Sequence, residues 1–146
     1  MCIMNQNKDN PKTGAIFQER VLEWFARERK VGFKSEKAIN IGNPAHPHKF
    51  DIADENCNIV IECKCYSWTD AGNIPSAKLM GLNQAVFYFS FLSFDVEKIL
   101  VMARAVHPKR RESLAEYYFR INKHLLGDVK IFEFDADSET MNIIKE

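Results

Sequence analysis

Glycine and proline are scarce in this 146-residue chain, at 6 and 5 residues, and it has no low-complexity stretch. That excludes collagen-like, linker-rich and disordered readings. Excess charge of either sign is also missing, with 20 Lys+Arg against 20 Asp+Glu. Proteins that coat nucleic acid without regard to sequence usually carry a cationic excess, so the zero balance argues mildly against that class. Long hydrophobic runs are absent. The run "AVFYFSFL" from Ala85 to Leu92 falls well short of the roughly 18 to 20 residues that span a bilayer, so no membrane protein is expected. The first residues lack the basic start and apolar stretch of a secretory leader, and a cytoplasmic location is expected. Cysteine pairs of the C-x-x-C type are missing too. Cys2, Cys57, Cys63 and Cys65 are therefore read as thiols in a reducing compartment, and a zinc site built from Cys57, Cys63, Cys65 and His46 or His48 has spacing unlike the common templates.

What the chain does have is apolar bulk. Hydrophobic residues make up 46% of it and 11 are phenylalanine, and a chain near this length buries roughly 70% of its unfolded surface. We expect a flexible N-terminal tail over residues 1–12 and a single domain over 13–146, with no repeat and no linker. Thr13 is placed to cap a helix running to about Arg29, because Phe17, Val21, Leu22, Trp24 and Phe25 share one broad arc. "KAINIG" reads as a short strand ending at Gly42, and "HKFDIADE" and "NIVIECKCYSW" as a hairpin. Pro75 or Ser76 opens a helix so apolar on nearly every side that its second half should be buried. The continuous run from Lys98 to Val106 suits a central strand covered on both faces. After Pro108 a helix should run to about Leu126, with Leu114, Tyr118, Ile121 and Leu125 in one stripe, and "VKIFEF" reads as a last strand. The resulting fold class is α/β, with the order αβββαβαβ and a mixed sheet flanked by helices.

The chemistry concentrates in the hairpin. With the turn centred on Asn56 and Cys57, Asp54 faces Ile59 and antiparallel pairing sets Asp51 opposite Glu62. Two carboxylates at that distance repel, so something positive is expected between them. Lys64, two residues beyond Glu62, points to the same face about 7 Å further along. Asp51, Glu62 and Lys64 together suit a hard divalent cation, since Mg²⁺ takes few carboxylates, keeps waters and accepts phosphate oxygens. Such an ion lowers the pKa of a bound water, and a neighbouring lysine orients that water or stabilises charge developing on phosphate. The bland alternative is a cross-strand ion pair of Lys64 with Asp51 or Glu62.

"FDIADENCNIVIECKC", an aspartate, ten residues, then Glu62-Cys63-Lys64, resembles the signature of the PD-(D/E)XK nuclease superfamily, and the element order is similar to that family's core. Phe50 stands where the name-giving proline would be. A second Glu-x-Lys match, at Glu28 and Lys30, ends a helix and has no facing aspartate, so it serves as an internal control. The resemblance implies an Mg²⁺-dependent DNA endonuclease, with Mn²⁺ as a substitute ion. In it Asp51, Glu62 and the Cys63 backbone carbonyl hold the metal and Lys64 assists catalysis. It also implies a glutamate from the first helix, Glu19 or its competitor Glu23. Gln84 and Tyr88, at i and i+4, resemble the Gln-x3-Tyr motif of an exonuclease branch, while "TGAIFQERVLEWFARERKVGF" is similar to the start of archaeal-type junction resolvases. Gln84, in so apolar a helix, needs a buried partner.

Lys78, His48 and Lys109-Arg110-Arg111 are further candidates for contact with DNA phosphates, the last cluster being read as a helix start where positive charge opposes the dipole. Tyr66 and Trp68 are read as packing residues. So short a nuclease leaves no room for a recognition domain, and a homodimer or a partner subunit supplying specificity is expected. The rival reading is a non-catalytic DNA-binding or assembly module that retains the fold.

Overall fold

A computed structural model describes residues 11–146. The expected tail over residues 1–12 lies outside the described residues except for Pro11 and Lys12, and both of these belong to the first helix, α1 (Pro11–Arg29). Three strands follow, β1 (Phe33–Ile41), β2 (His46–Asp54) and β3 (Ile59–Lys64). After helix α2 (Ser76–Phe89) come β4 (Glu97–Ala103), α3 (Leu114–Asn122) with a 3-10 turn at Lys123–Leu125, and then β5 (Lys130–Asp135) and β6 (Thr140–Lys145). The six strands form one mixed sheet in sequence order. β3, β4 and β5 are parallel, while β1, β2 and β6 add antiparallel edges. No helix among the described residues is long and apolar enough to cross a membrane.

Each face of the sheet is covered for a reason visible in the helices. Phe17, Val21 and Phe25, four residues apart, bury one stripe of α1 on Ile52, Ile61, Ile99, Val101, Phe132 and Phe134. On the opposite face Leu82, Ala85 and Phe89 of α2, with Leu114 and Tyr118 of α3, cover Phe50, Val60, Leu100, Met102 and Ile131. Strand β4 lies between these layers, and every residue from Lys98 to Ala103 is buried, as its unbroken apolar run requires. The buried Lys98 is neutralised by Asp128 at 2.7 Å and donates to the Ser93 and Val96 carbonyls.

Four expectations are corrected. β6, "TMNIIK", is an additional strand absent from the expected order. Helix α3 begins at Leu114, not near Pro108, because Ser113 and Glu116 form a reciprocal capping box. It gives way to the 3-10 turn after Asn122, so Ile121 and Leu125 are exposed instead of completing the buried stripe. The second half of α2 is also not buried throughout, since Phe87 and, just past the helix, Phe91 face outward.

Candidate active site

The β2–β3 turn has the expected register. Ile52 pairs with Ile61 and Ala53 with Val60, which sets Asp51 opposite Glu62. Asp54 closes the turn, its Oδ1 accepting from the Ile59 N–H at 2.7 Å while its carbonyl accepts from Cys57 N–H. Cys57 adopts a positive φ of 57° there. Beyond Ile52 and Ile61 the ladder is taken over by side chains. The Asp51 N–H donates to Glu62 Oε1 at 2.8 Å, and the Cys63 N–H donates to Asp51 Oδ2 at 2.8 Å. Each carboxylate is thus clasped by the opposite strand through one oxygen. The other oxygens, Asp51 Oδ1 and Glu62 Oε2, accept no hydrogen bond from the described residues, and neither is a buried, unpartnered atom.

The electrostatics of this pair are unfavourable as they stand. Glu62 is only 8% exposed, and burial, followed by the charge of Asp51, pushes its carboxyl up from 4.5 to about 8. Asp51 is raised too, by burial first, against the lowering effect of the Cys63 N–H and of Lys64. Lys64 is near enough to act on both carboxyls, yet among the described residues no ion pair joins it to either. The cross-strand ion-pair alternative is therefore not the arrangement found. The Lys64 ammonium lies 6.0 Å from the centre of the Tyr66 ring, and Lys78 lies 5.8 Å from the same ring. Tyr66 reaches α2 through a gap left by Gly81, where a Cβ would come within 2.8 Å of the phenol oxygen.

The pair fits a hard cation on the chemistry of its donors. Two clasped carboxylates present free oxygens in a half-dry setting with no cationic partner bonded to them, as Mg²⁺ or Mn²⁺ requires. Among the described residues no group of three or more His, Cys, Asp and Glu is gathered as a metal site, so a cation here would take the remainder of its shell from water or substrate. The cysteine alternative has less support. Burial and the two carboxylates push the Cys63 thiol well up, away from the thiolate that metals bind. Cys57 and Cys63 are free.

The other candidates divide. Glu19 is exposed on α1, as is Glu23. Gln18 reaches the site instead, its amide donating to the Asp51 carbonyl at 3.0 Å and to Glu36 Oε1 at 3.2 Å. Glu36 was not anticipated. It lies in β1 between Ser35 and Lys37, which pair with Ile52 and Phe50, and so stands across from Asp51. Its φ is +54°, and its charge raises the carboxyl pKa of both Asp51 and Glu62. The phase of α1 fixed by Phe17, Val21 and Phe25 was the available signal for Gln18; no sequence pattern marks the left-handed Glu36.

His48 is brought to the site edge. Its ring stacks on Tyr88 at 3.9 Å and meets the edge of Phe50 at 4.7 Å. Burial holds its pKa down, opposed by Asp51 and assisted by Lys64. His46 is exposed, with Nδ1 at 3.0 Å from the Pro47 carbonyl. Gln84 is exposed, not buried, and donates to the Tyr88 hydroxyl at 3.4 Å. Trp68 is buried and donates to the Ala105 carbonyl, so it packs as expected.

Lys109, Arg110 and Arg111 precede α3 in a loop, so the helix-dipole argument does not apply to them. His107 organises that loop. Its Nδ1 accepts from the Lys109 and Arg110 N–H groups at 3.0 Å, which leaves Nε2 as the donor to the Gly72 carbonyl at 2.7 Å. The Arg110 guanidinium then lies 5.3 Å from the centre of the Trp68 ring, tying the basic loop to the chain that leaves β3 after Lys64. Comparisons with protein-family models, curated proteins and solved structures find no match to this chain.

Proposed function

We propose that this chain is a divalent-metal-dependent phosphodiester hydrolase, and more narrowly a DNA endonuclease of the PD-(D/E)XK type acting in the cytoplasm. The observation that carries the reading is the reciprocal clasp of Asp51 and Glu62 beside a lysine that bonds to neither. A pair held only for fold stability would be expected to have its charge neutralised within the protein. Here each carboxylate keeps an oxygen outward and the lysine stays available.

In this reading Asp51 and Glu62 would hold Mg²⁺, which would lower the pKa of a bound water so that hydroxide is available to attack phosphorus, and would supply a counter-charge for the phosphate. The clasp fixes both carboxylates before substrate arrives, so little reorganisation accompanies the reaction. Gln18 positions Asp51 through the backbone carbonyl. Lys64 donates to a non-bridging phosphate oxygen or to the attacking water. Lys78, with Lys109, Arg110 and Arg111, takes the flanking phosphates.

The test is incubation with supercoiled plasmid, linear duplex and four-way junction DNA, in Mg²⁺ or Mn²⁺ and in chelator. Cleavage of at least one substrate, abolished by chelator, is expected. Binding of DNA with no cleavage under any condition would refute the hydrolase and favour a non-catalytic module that retains the fold.

A further inference from the structure

From Leu79 onward the outer side of α2 carries no charge, and its exposed Met80 and Phe87 sit among the uncharged polar Asn83 and Gln84. Met80, Gln84, Phe87 and Phe91 fall at i, i+4, i+7 and i+11 and so form one stripe. Met80 is 71% exposed, Phe87 61% and Phe91 46%, and Phe94 in the turn that follows is 90% exposed. Phe87 and Phe91 rest edge to face at 5.1 Å. From Leu79 to Phe94 no residue carries a charge.

We infer that this stripe is the contact between two copies of the chain, paired about a two-fold axis with their α2 helices antiparallel. The stripe is self-complementary in that arrangement, with Met80 of one copy against Phe91 of the other, and Gln84 against Phe87. A two-fold contact uses the same patch twice, and a neutral apolar patch has its best match in another neutral apolar patch. The area is at the threshold. At roughly 150–250 Å² per aromatic side chain, the three phenylalanines leave on the order of 400 Å² uncovered. With Met80 included, a pair of copies hides at most on the order of 1,000 Å², the threshold of a biological interface and short of the roughly 1,200–2,000 Å² of stable ones. Other occupants fit the chemistry less well. A nucleic acid needs cations, and a membrane-surface helix carries Lys or Arg along its polar flank; this stretch has neither. Tyr88 on the same helix stacks on His48 beside the carboxylate pair, so pairing through α2 holds two sites at a fixed separation. That consequence rests on the proposed function, whereas the pairing does not.

Sedimentation velocity of the full chain across the micromolar range, without metal or DNA, tests the pairing independently of any nuclease activity. A dimer is expected for the unaltered protein. In Phe87→Glu/Phe91→Glu the association should weaken roughly 30-fold or more, with the far-UV circular dichroism of the folded protein unchanged. Met80→Glu alone, a milder change to the same stripe, should also weaken it. A protein that stays monomeric at the highest concentration, or a dimer indifferent to both variants, would overturn the inference. So would binding of the monomer to neutral phospholipid vesicles that the double variant abolishes.

Discussion

Raising the pH of the metal-free protein should destabilise it, and a divalent cation should remove most of that loss. Glu62 titrates in the folded state at about 8 against 4.5 when unperturbed, because burial and Asp51 both oppose its charge. Between those values the native carboxyl holds a proton that the unfolded chain has released. Its contribution to stability is therefore fully present below about pH 4.5 and is lost as the pH rises through about 8. At 1.36 kcal/mol per pH unit the span corresponds to about 5 kcal/mol at most. With Tm moving roughly 2–4 °C per kcal/mol near this chain length, a fall of about 10–20 °C is the upper limit. The assay is thermal unfolding followed by circular dichroism across that window, in chelator and in millimolar Mg²⁺ or Mn²⁺. The metal ion should add more stability at the alkaline end than at the acid end, since there it replaces a proton that has been lost. Glu62→Gln should flatten the chelator profile. A chelator profile that rises with pH, or a metal effect equal at both ends, would refute the argument.

Other outcomes follow from the same geometry. Lys64→Met should leave the unfolding free energy within about 0.5 kcal/mol of the parent, since the ammonium bonds to neither carboxylate, yet slow cleavage by about 10²-fold or more. Gln18→Ala, which removes the bonds to the Asp51 carbonyl and Glu36, should cost about 1 kcal/mol of stability in denaturant titration and reduce cleavage, whereas Glu19→Ala should do neither. Glu97, bonded to Arg29 and Lys130 and pulled down from 4.5 to about 2, contributes stability that is present above about pH 4.5 and lost as the pH falls through about 2. Solvent screening limits this contribution to about 1 kcal/mol, and Glu97→Gln should remove it from the acid limb of the unfolding curve. Replacing Lys109 and Arg110 by alanine should weaken DNA binding in filter or anisotropy assays about equally across sequences and lower its salt dependence.

The sequence disclosed the hairpin well because side-chain alternation and turn position together fix a register, and a one-residue slip would have carried Ile52 and Ile61 off the face that α1 covers. The central strand β4 was legible for the opposite reason, its lack of alternation. β6 was missed because it is a short edge strand with three exposed residues among six, too polar to stand out. In α2 the apolar residues run all round the helix, so composition predicted a buried second half where Phe87 and Phe91 are in fact outside. Glu19 was singled out by its charge, and it is exposed on α1. One position earlier, an amide does the reaching, and the helix phase that aims it is set by Phe17 and Val21. Glu36 depends on a left-handed backbone that nothing in the local sequence requires.

The central claim is that Asp51 and Glu62 hold a cation while Lys64 acts on the substrate, and pairing Mn²⁺ calorimetry with single-turnover DNA cleavage on the same variants tests it most directly. Asp51→Asn/Glu62→Gln should lose both Mn²⁺ binding and cleavage. Lys64→Met should bind Mn²⁺ like the parent and cleave about 10²-fold more slowly or worse. Mn²⁺ binding undiminished in the double variant, or cleavage indifferent to Lys64, would contradict the account.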